Sequence, residues 1–202
     1  GVGGSGKSTL ARLIRACFPS DAVTTLSANI EQKFGLSAIY KGLVCVCSEV
    51  REDFGLNQAE WQSAVSGEQV QINIKNKTAI QHRWTTPMFF LGNVYPNYKD
   101  ASLSVARRFL MIEFNEVVRN SDPQLFDKLV RNNLDAFLRK CCVLYHRAVR
   151  MYGTLDIWSG GFMPKQIVNF HRNMIGQVNL IEEFLNSEHV ELDTQYYMPV
   201  SE

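Results

Sequence analysis

No apolar run in this chain approaches the roughly 20 residues that a membrane-spanning helix needs. A helical bilayer anchor within the sequence is therefore excluded. None of the five cysteines (Cys17, Cys45, Cys47, Cys141 and Cys142) forms a CxxC pair. That argues against a zinc ribbon or a disulfide framework, and reduced core thiols in a reducing, intracellular setting are the expectation. No signal-peptide pattern, internal repeat or low-complexity stretch is visible. Charge of one sign is not in excess either: 21 Lys and Arg meet 20 Asp and Glu, for a formal net charge of +1. Bulk charge thus neither supports nor excludes nucleic acid, since a local basic stripe would suffice. What is present is ordinary for a globular domain: 202 residues, 46% of them hydrophobic and 20% charged, enough to bury a core without staples.

The chain opens on Gly1-Val2-Gly3-Gly4-Ser5-Gly6-Lys7-Ser8, which fits G-x-x-x-x-G-K-[ST] at every fixed position. Glycines let the backbone turn tightly and aim successive N–H groups at phosphate oxygens. Gly1, Gly3, Gly4, Ser5, Gly6, Lys7, Ser8 and Thr9 are accordingly the expected ATP-binding residues. Lys7 would reach the β- and γ-phosphates, and the Ser8 hydroxyl would hold Mg2+. Apolar residues at helical spacing follow from Thr9 to Phe18 and stop before Pro19, so the loop opens a helix. A loop of this kind is launched by a buried strand. Nothing precedes Gly1, so the sequence reads as a piece of a longer protein.

Leu43-Val44-Cys45-Val46-Cys47 is a continuous apolar run and predicts a strand buried on both faces. It ends in Ser48-Glu49, beside the phosphates if the sheet is parallel. Glu49 is then placed to orient the attacking water, or else is a solvated strand-end charge. Ser48 stands where many P-loop enzymes carry a magnesium-associated Asp, and it would act only through a metal-bound water. Pro87 to Leu91 predicts a third strand, ending in Gly92-Asn93. Asn93 either senses the γ-phosphate or simply starts a turn.

Between these strands, Asn57 to Val65 predicts a short helix carrying Trp61, and Val70 to Ile74 alternates as a half-exposed strand. It runs into the basic tip Lys75-Asn76-Lys77. Lys75 and Lys77 suit a phosphate backbone, though a plain solvated turn reads almost as well. Leu103 to Phe114 places the tandem pair Arg107-Arg108 just before another apolar strand. One of the two arginines would serve as an arginine finger across a subunit boundary, and sequence does not say which.

This ordered set resembles the superfamily-3 helicases, and more narrowly the poxvirus-type primase–helicase and phage/plasmid primase-associated ATPases. The residues that carry the resemblance are Gly1 to Ser8, Leu43 to Glu49, Leu56-Asn57, Gly67-Glu68, Val70 to Lys77, Met88 to Asn93 and Ala106 to Phe114. The resemblance implies an α/β, AAA+-like P-loop core with a central parallel sheet. It also implies homo-hexameric rings, ATP and Mg2+, translocation on single-stranded DNA at a replication fork, and an upstream primase-type domain. If the protein is viral, the host cytoplasm or nucleus follows. Gln69, Asn73 and Ile74 depart from the group's pattern, which weakens the DNA assignment at Lys75 and Lys77.

The expected organisation is an ATPase core over residues 1–118 lacking its launching strand, a helical region over 119–189, and a tail or new domain over 190–202. In the helical region, Pro123 to Tyr152 and Pro164 to Leu185 carry apolar stripes expected to be core. Two other functions share the loop: a small-molecule kinase, and a regulatory nucleotide-binding module with weak hydrolysis, the latter motivated by Ser48.

Overall fold

The computed structural model describes residues 2–26, 32–48, 50, 58–93, 108–155, 158, 161 and 163–178. Glu49, Arg107, Gly1, the Leu56-Asn57 pair, the end of the Pro164 to Leu185 stripe beyond residue 178 and the tail over 190–202 lie outside the described residues. The fold is mixed α/β. Helix α1 (Lys7–Ala16) follows the glycine loop, and a short 3-10 turn leads into β1 (Val23–Thr24). A 3-10 segment, Gln32–Ala38, precedes β2 (Val44–Cys47). Helix α2 (Gln58–Val65), strands β3 (Gln69–Ile72), β4 (Ile80–Arg83) and β5 (Met88–Phe90), and helices α3 (Leu125–Tyr152) and α4 (Lys165–Val178) complete it.

The central sheet runs β1-β2-β5, with both pairs parallel. Every residue of β2 is buried, as its unbroken apolar run predicts. Alternation sends Val44 and Val46 toward Ala11 of α1 on one face. Cys45 and Cys47 go to the other face, where Leu36, Ile39, Val70, Ile72 and Trp84 close the main core. Burying a valine of β2 fully contributes about 1.5–3 kcal/mol over leaving it in water. Polar ties pin the same strand. Arg15 of α1 donates to the Val46 carbonyl, which also accepts the Thr25 hydroxyl at 2.9 Å. The Thr86 hydroxyl donates to the Gly42 carbonyl at 2.7 Å.

Strands β3 and β4 form a separate antiparallel hairpin, with Gln69 opposite Arg83 and Ile72 opposite Ile80. Its inner face contributes Val70 and Ile72 to the core. Asn76, at the tip, adopts a left-handed φ of 59°, a conformation Asn tolerates better than most residues.

Three expectations are corrected. Phe109 to Phe114 is not a strand of the sheet, because a strand needs a paired neighbour and this segment has none among the described residues. Its backbone is tied instead through the Phe114 carbonyl, which accepts the Val2 N–H at 3.0 Å. Leu110 and Ile112 are 52% and 62% exposed. The stripe of α3 is not core either. None of that helix is buried, and only its first half is covered, with Arg12 of α1 stacking 3.8 Å over the Phe126 ring. The thiols also divide. Cys45 and Cys47 are buried, Cys17 is half-buried, and Cys141 and Cys142 are exposed on α3.

Pro164 does sit immediately before α4, and its carbonyl accepts the Val168 N–H at 3.1 Å. At the start of α3, Asp122 accepts the Gln124 N–H at 2.9 Å and Lys128 Nζ at 2.7 Å. These bonds favour its charged form and hold the carboxyl below the usual aspartate range.

Candidate nucleotide site

The glycine loop takes the shape its sequence requires. Gly4 and Gly6 have φ of 71° and 88°, a region that an L side chain enters only with strain. Gly6 is the N-cap of α1, and no side chain caps the helix. Its first turn also carries no acidic residue. Among the described residues no side chain therefore competes for the leading N–H groups of the helix, an arrangement that suits an anion, and the macrodipole adds to their pull. The loop's cation is already folded onto it. Lys7 Nζ donates to the Val2 carbonyl and to Ser5 Oγ at 3.2 Å, while Ser5 Oγ donates to the same carbonyl at 2.8 Å. Ser8 is exposed, Thr9 and Ser5 are half-buried, and Gly3 has open space around it. The loop is bracketed by the segment after Phe109: Val118 N–H donates to the Gly4 carbonyl at 3.1 Å.

The parallel sheet brings two other expected positions to one edge. Leu91 N–H donates to the Cys47 carbonyl at 2.9 Å, and Val50 N–H donates back to the Leu91 carbonyl at 2.9 Å. The chain leaving β2 at Ser48 and the chain leaving β5 toward Asn93 are therefore laced together. Ser48 and Asn93 are both exposed there. A cavity of about 610 Å³ runs along β5 from Thr85 to Asn93, with Leu110 to Phe114 also in its walls, and Lys7, Asn93 and Arg108 are among the residues that line it. Its walls are largely apolar, from Trp84, Phe89 and Phe109 among others. Arg108 Nε donates to Ser66 Oγ at 2.8 Å, so this arginine is steered by the turn after α2.

Lys75 and Lys77 are exposed at the hairpin tip and do not line the cavity. They belong to a different surface. Sequence reasoning missed the supporting residues. Arg15 and Thr25 hold the Val46 carbonyl two residues before Ser48, and Ser66 holds Arg108. An arginine in the last turn of α1 was a visible signal for the first. Nothing in the sequence flagged Ser66.

Beneath the same strand end, Cys45 Sγ and Cys47 Sγ lie 3.8 Å apart. The hydrogen bond that Cys47 shares with Cys45, together with burial, pushes the Cys47 thiol well up. Among the described residues, no group of three or more His, Cys, Asp or Glu is placed to hold a metal, and no helix is long and apolar enough to cross a membrane.

A family of unknown function (DUF5906) matches residues 1–108 of the chain. Among solved structures, the A form apo structure of the NrS-1 C-terminal region aligns with a TM-score of 0.50 and 22% identity, over 67% of this chain and 33% of that one. A second determination of that region, covering its residues 305–718, aligns with a TM-score of 0.49 and 23% identity over 68% of this chain and 33% of that one. The chain spans about a third of the length of the solved chains it matches. No curated protein matches it.

Proposed function

This chain belongs to that family of unknown function, DUF5906, and from that premise we propose that it is the ATP-hydrolysing part of a DNA helicase motor. In this reading an AAA+-like core couples ATP hydrolysis to movement along single-stranded DNA in a viral or mobile-element replication protein. The observation that carries it is the glycine loop, left-handed at Gly4 and Gly6, opening α1 against a parallel sheet whose C-terminal edge presents Ser48 and Asn93. That edge is where α/β folds bind ligands.

The roles follow from chemistry. Gly3 to Thr9 offer backbone N–H groups and hydroxyls to the phosphates, and Lys7 compensates the β- and γ-phosphate charge. Magnesium, when bound, would neutralise further phosphate charge; the exposed Ser8 hydroxyl suits it, with Ser48 reaching only through water. Glu49 would orient the attacking water, and Asn93 would read the γ-phosphate. Arg107 or Arg108 would stabilise the transferring phosphoryl group of a neighbouring subunit in a six-membered ring.

One observation favours a second reading. Ser48 is an uncharged, exposed residue at the strand end where a carboxylate would strengthen metal binding. A regulatory module that binds ATP and turns it over poorly would look the same there.

The test is ATP hydrolysis with and without single-stranded DNA, alongside mass in solution. DNA-stimulated turnover and a six-fold assembly support the motor. Tight ATP binding without turnover favours the regulatory module, and a monomer that phosphorylates a soluble acceptor sinks both. Lys7→Ala should lower turnover by about 10²–10³-fold, the scale of losing one transition-state donor.

A further inference from the structure

Helix α3 changes surroundings halfway along its length. In its first half Phe126, Leu134 and Phe137 are half-buried, and Arg12 of α1 stacks on the Phe126 ring. The same stripe continues at spacings of three and four residues through Cys141, Leu144, Ala148 and Met151, and all four are exposed. That is the repeat by which two helices pack along a shared seam. Leu144 and Met151 are 50% and 56% exposed, and Tyr145 beside them is 67% exposed.

The charge around this exposed stripe is of one sign. Arg139, Lys140, Arg147 and Arg150 are all exposed there. No Asp or Glu occurs from Ala136 to Leu155, a stretch bounded by Asp135 and Asp156. The balancing acids lie further on. From Asn173 to Glu202 the chain has no Lys or Arg, and it carries Glu182, Glu183, Glu188, Glu191 and Asp193. Among these acids, Leu180, Ile181, Phe184 and Leu185 recur at helical spacing. Residues 179–202 lie outside the described residues. A net charge of +1 over the whole chain thus conceals two segments of opposite sign, each with an apolar stripe of its own.

We propose that the exposed half of α3 is the docking surface for the chain's own acidic segment, Leu180 to Asp193. Its apolar residues cover Leu144, Ala148 and Met151, and its carboxylates lie beside Arg139, Lys140, Arg147 and Arg150. Charge and hydrophobicity together select this occupant. A second copy of α3 laid antiparallel on the seam would set Arg139 and Lys140 against Arg147 and Arg150, like charge on like. A nucleic acid would meet the cations and leave the stripe in water. The acidic segment answers both features. It is also tethered, because it follows directly after α4, which ends at Val178, and a short tether gives a high effective concentration. Docking of this segment is independent of the nucleotide site.

The surface carries its own probe, since Cys141 lies on the stripe and Cys142 one position off it. The experiment follows alkylation of each thiol by iodoacetamide in the whole chain, resolved by mass spectrometry. Phe184→Asp with Leu185→Asp should raise the Cys141 rate about 10-fold, the change expected when a stripe covered nine-tenths of the time is laid open. The Cys142 rate should change much less. Arg147→Glu with Arg150→Glu should raise the Cys141 rate about 2–10-fold, as losing two exposed ion pairs predicts. Adding Glu182→Lys with Glu183→Lys should bring that rate back down, a recovery that general loosening of the helix would not give. Circular dichroism checks that each variant is folded, and the charge swap decides alone should the aspartate pair disturb the fold. If neither the aspartate pair nor the charge swap alters the Cys141 rate, docking of the acidic segment is wrong. If protection of Cys141 grows with protein concentration while the mass in solution doubles, the seam belongs to a second copy instead. If protection appears only on adding vesicles of anionic phospholipid or an oligonucleotide, the surface serves that ligand and the proposal fails.

Discussion

Two segments of this chain read alike as apolar strands, and the fold treats them in opposite ways. Leu43 to Cys47 supplies β2, whose four residues are each no more than 1% exposed. Phe109 to Phe114 runs beside the glycine loop outside any ladder of the described residues, with Ile112 62% exposed. Hydrophobicity does not separate them; neighbours do. β2 has β1 on one edge and β5 on the other, and side chains cover both its faces. The later segment is tied by its Phe114 carbonyl to Val2 and has an apolar cavity beside it. A run of apolar residues states an appetite for burial, and tertiary pairing decides whether it is met.

The comparison can be broken most sharply at Val44, which is fully buried against the α1 side of the sheet. Val44→Asp places an unpaired carboxylate there and should cost more than about 4 kcal/mol, leaving the chain largely unfolded in a denaturant titration. A subtler break lies at the entry to β2. A Cβ on Gly42 would fall 2.6 Å from Thr24 Oγ1 and 2.7 Å from Thr24 Cγ2. That Thr24 hydroxyl also donates to the Val44 carbonyl at 3.1 Å, so moving it loses a bond that links β1 to β2. Gly42→Ala should therefore cost about 1–3 kcal/mol, and adding Thr24→Ala should recover part of the loss. A double-mutant cycle on the thermal midpoint reads the coupling. At the other end of the scale, Ile112→Asp should change stability by less than about 0.5 kcal/mol, because its side chain already faces water. A large loss at Ile112 would mean that the two segments are more alike than their exposure indicates.

Much of the site was legible because it is local. The glycine spacing dictates left-handed turns at Gly4 and Gly6, and those turns set up α1 within a few residues. β2 and β5 were legible from unbroken apolar runs that end in polar residues, and β3 from the alternation ahead of Lys75-Asn76-Lys77, whereas its partner β4 was not read. What escaped depends on distant partners. Ser66 gives no sign in sequence that it holds Arg108 across 42 positions. The apolar stripe of α3 predicted burial, yet only its first half meets α1, and beyond Lys140 the described residues of the helix are almost all exposed. Helical periodicity identifies a face but cannot say how far along the helix that face is covered.

The Lys7 ammonium rests on the Val2 carbonyl and on Ser5. A loop closed on its own cation in this way keeps its curvature without a guest. Under the proposed ATP-binding reading, arrival of a phosphate would be an exchange of acceptors: the ammonium would release a carbonyl dipole and take up a full negative charge. Such a swap leaves the backbone largely in place, so most of the free-energy gain reflects the difference between those two acceptors. The signature in calorimetry would be a modest heat-capacity change on binding, since little apolar surface has to be rearranged to seat the anion.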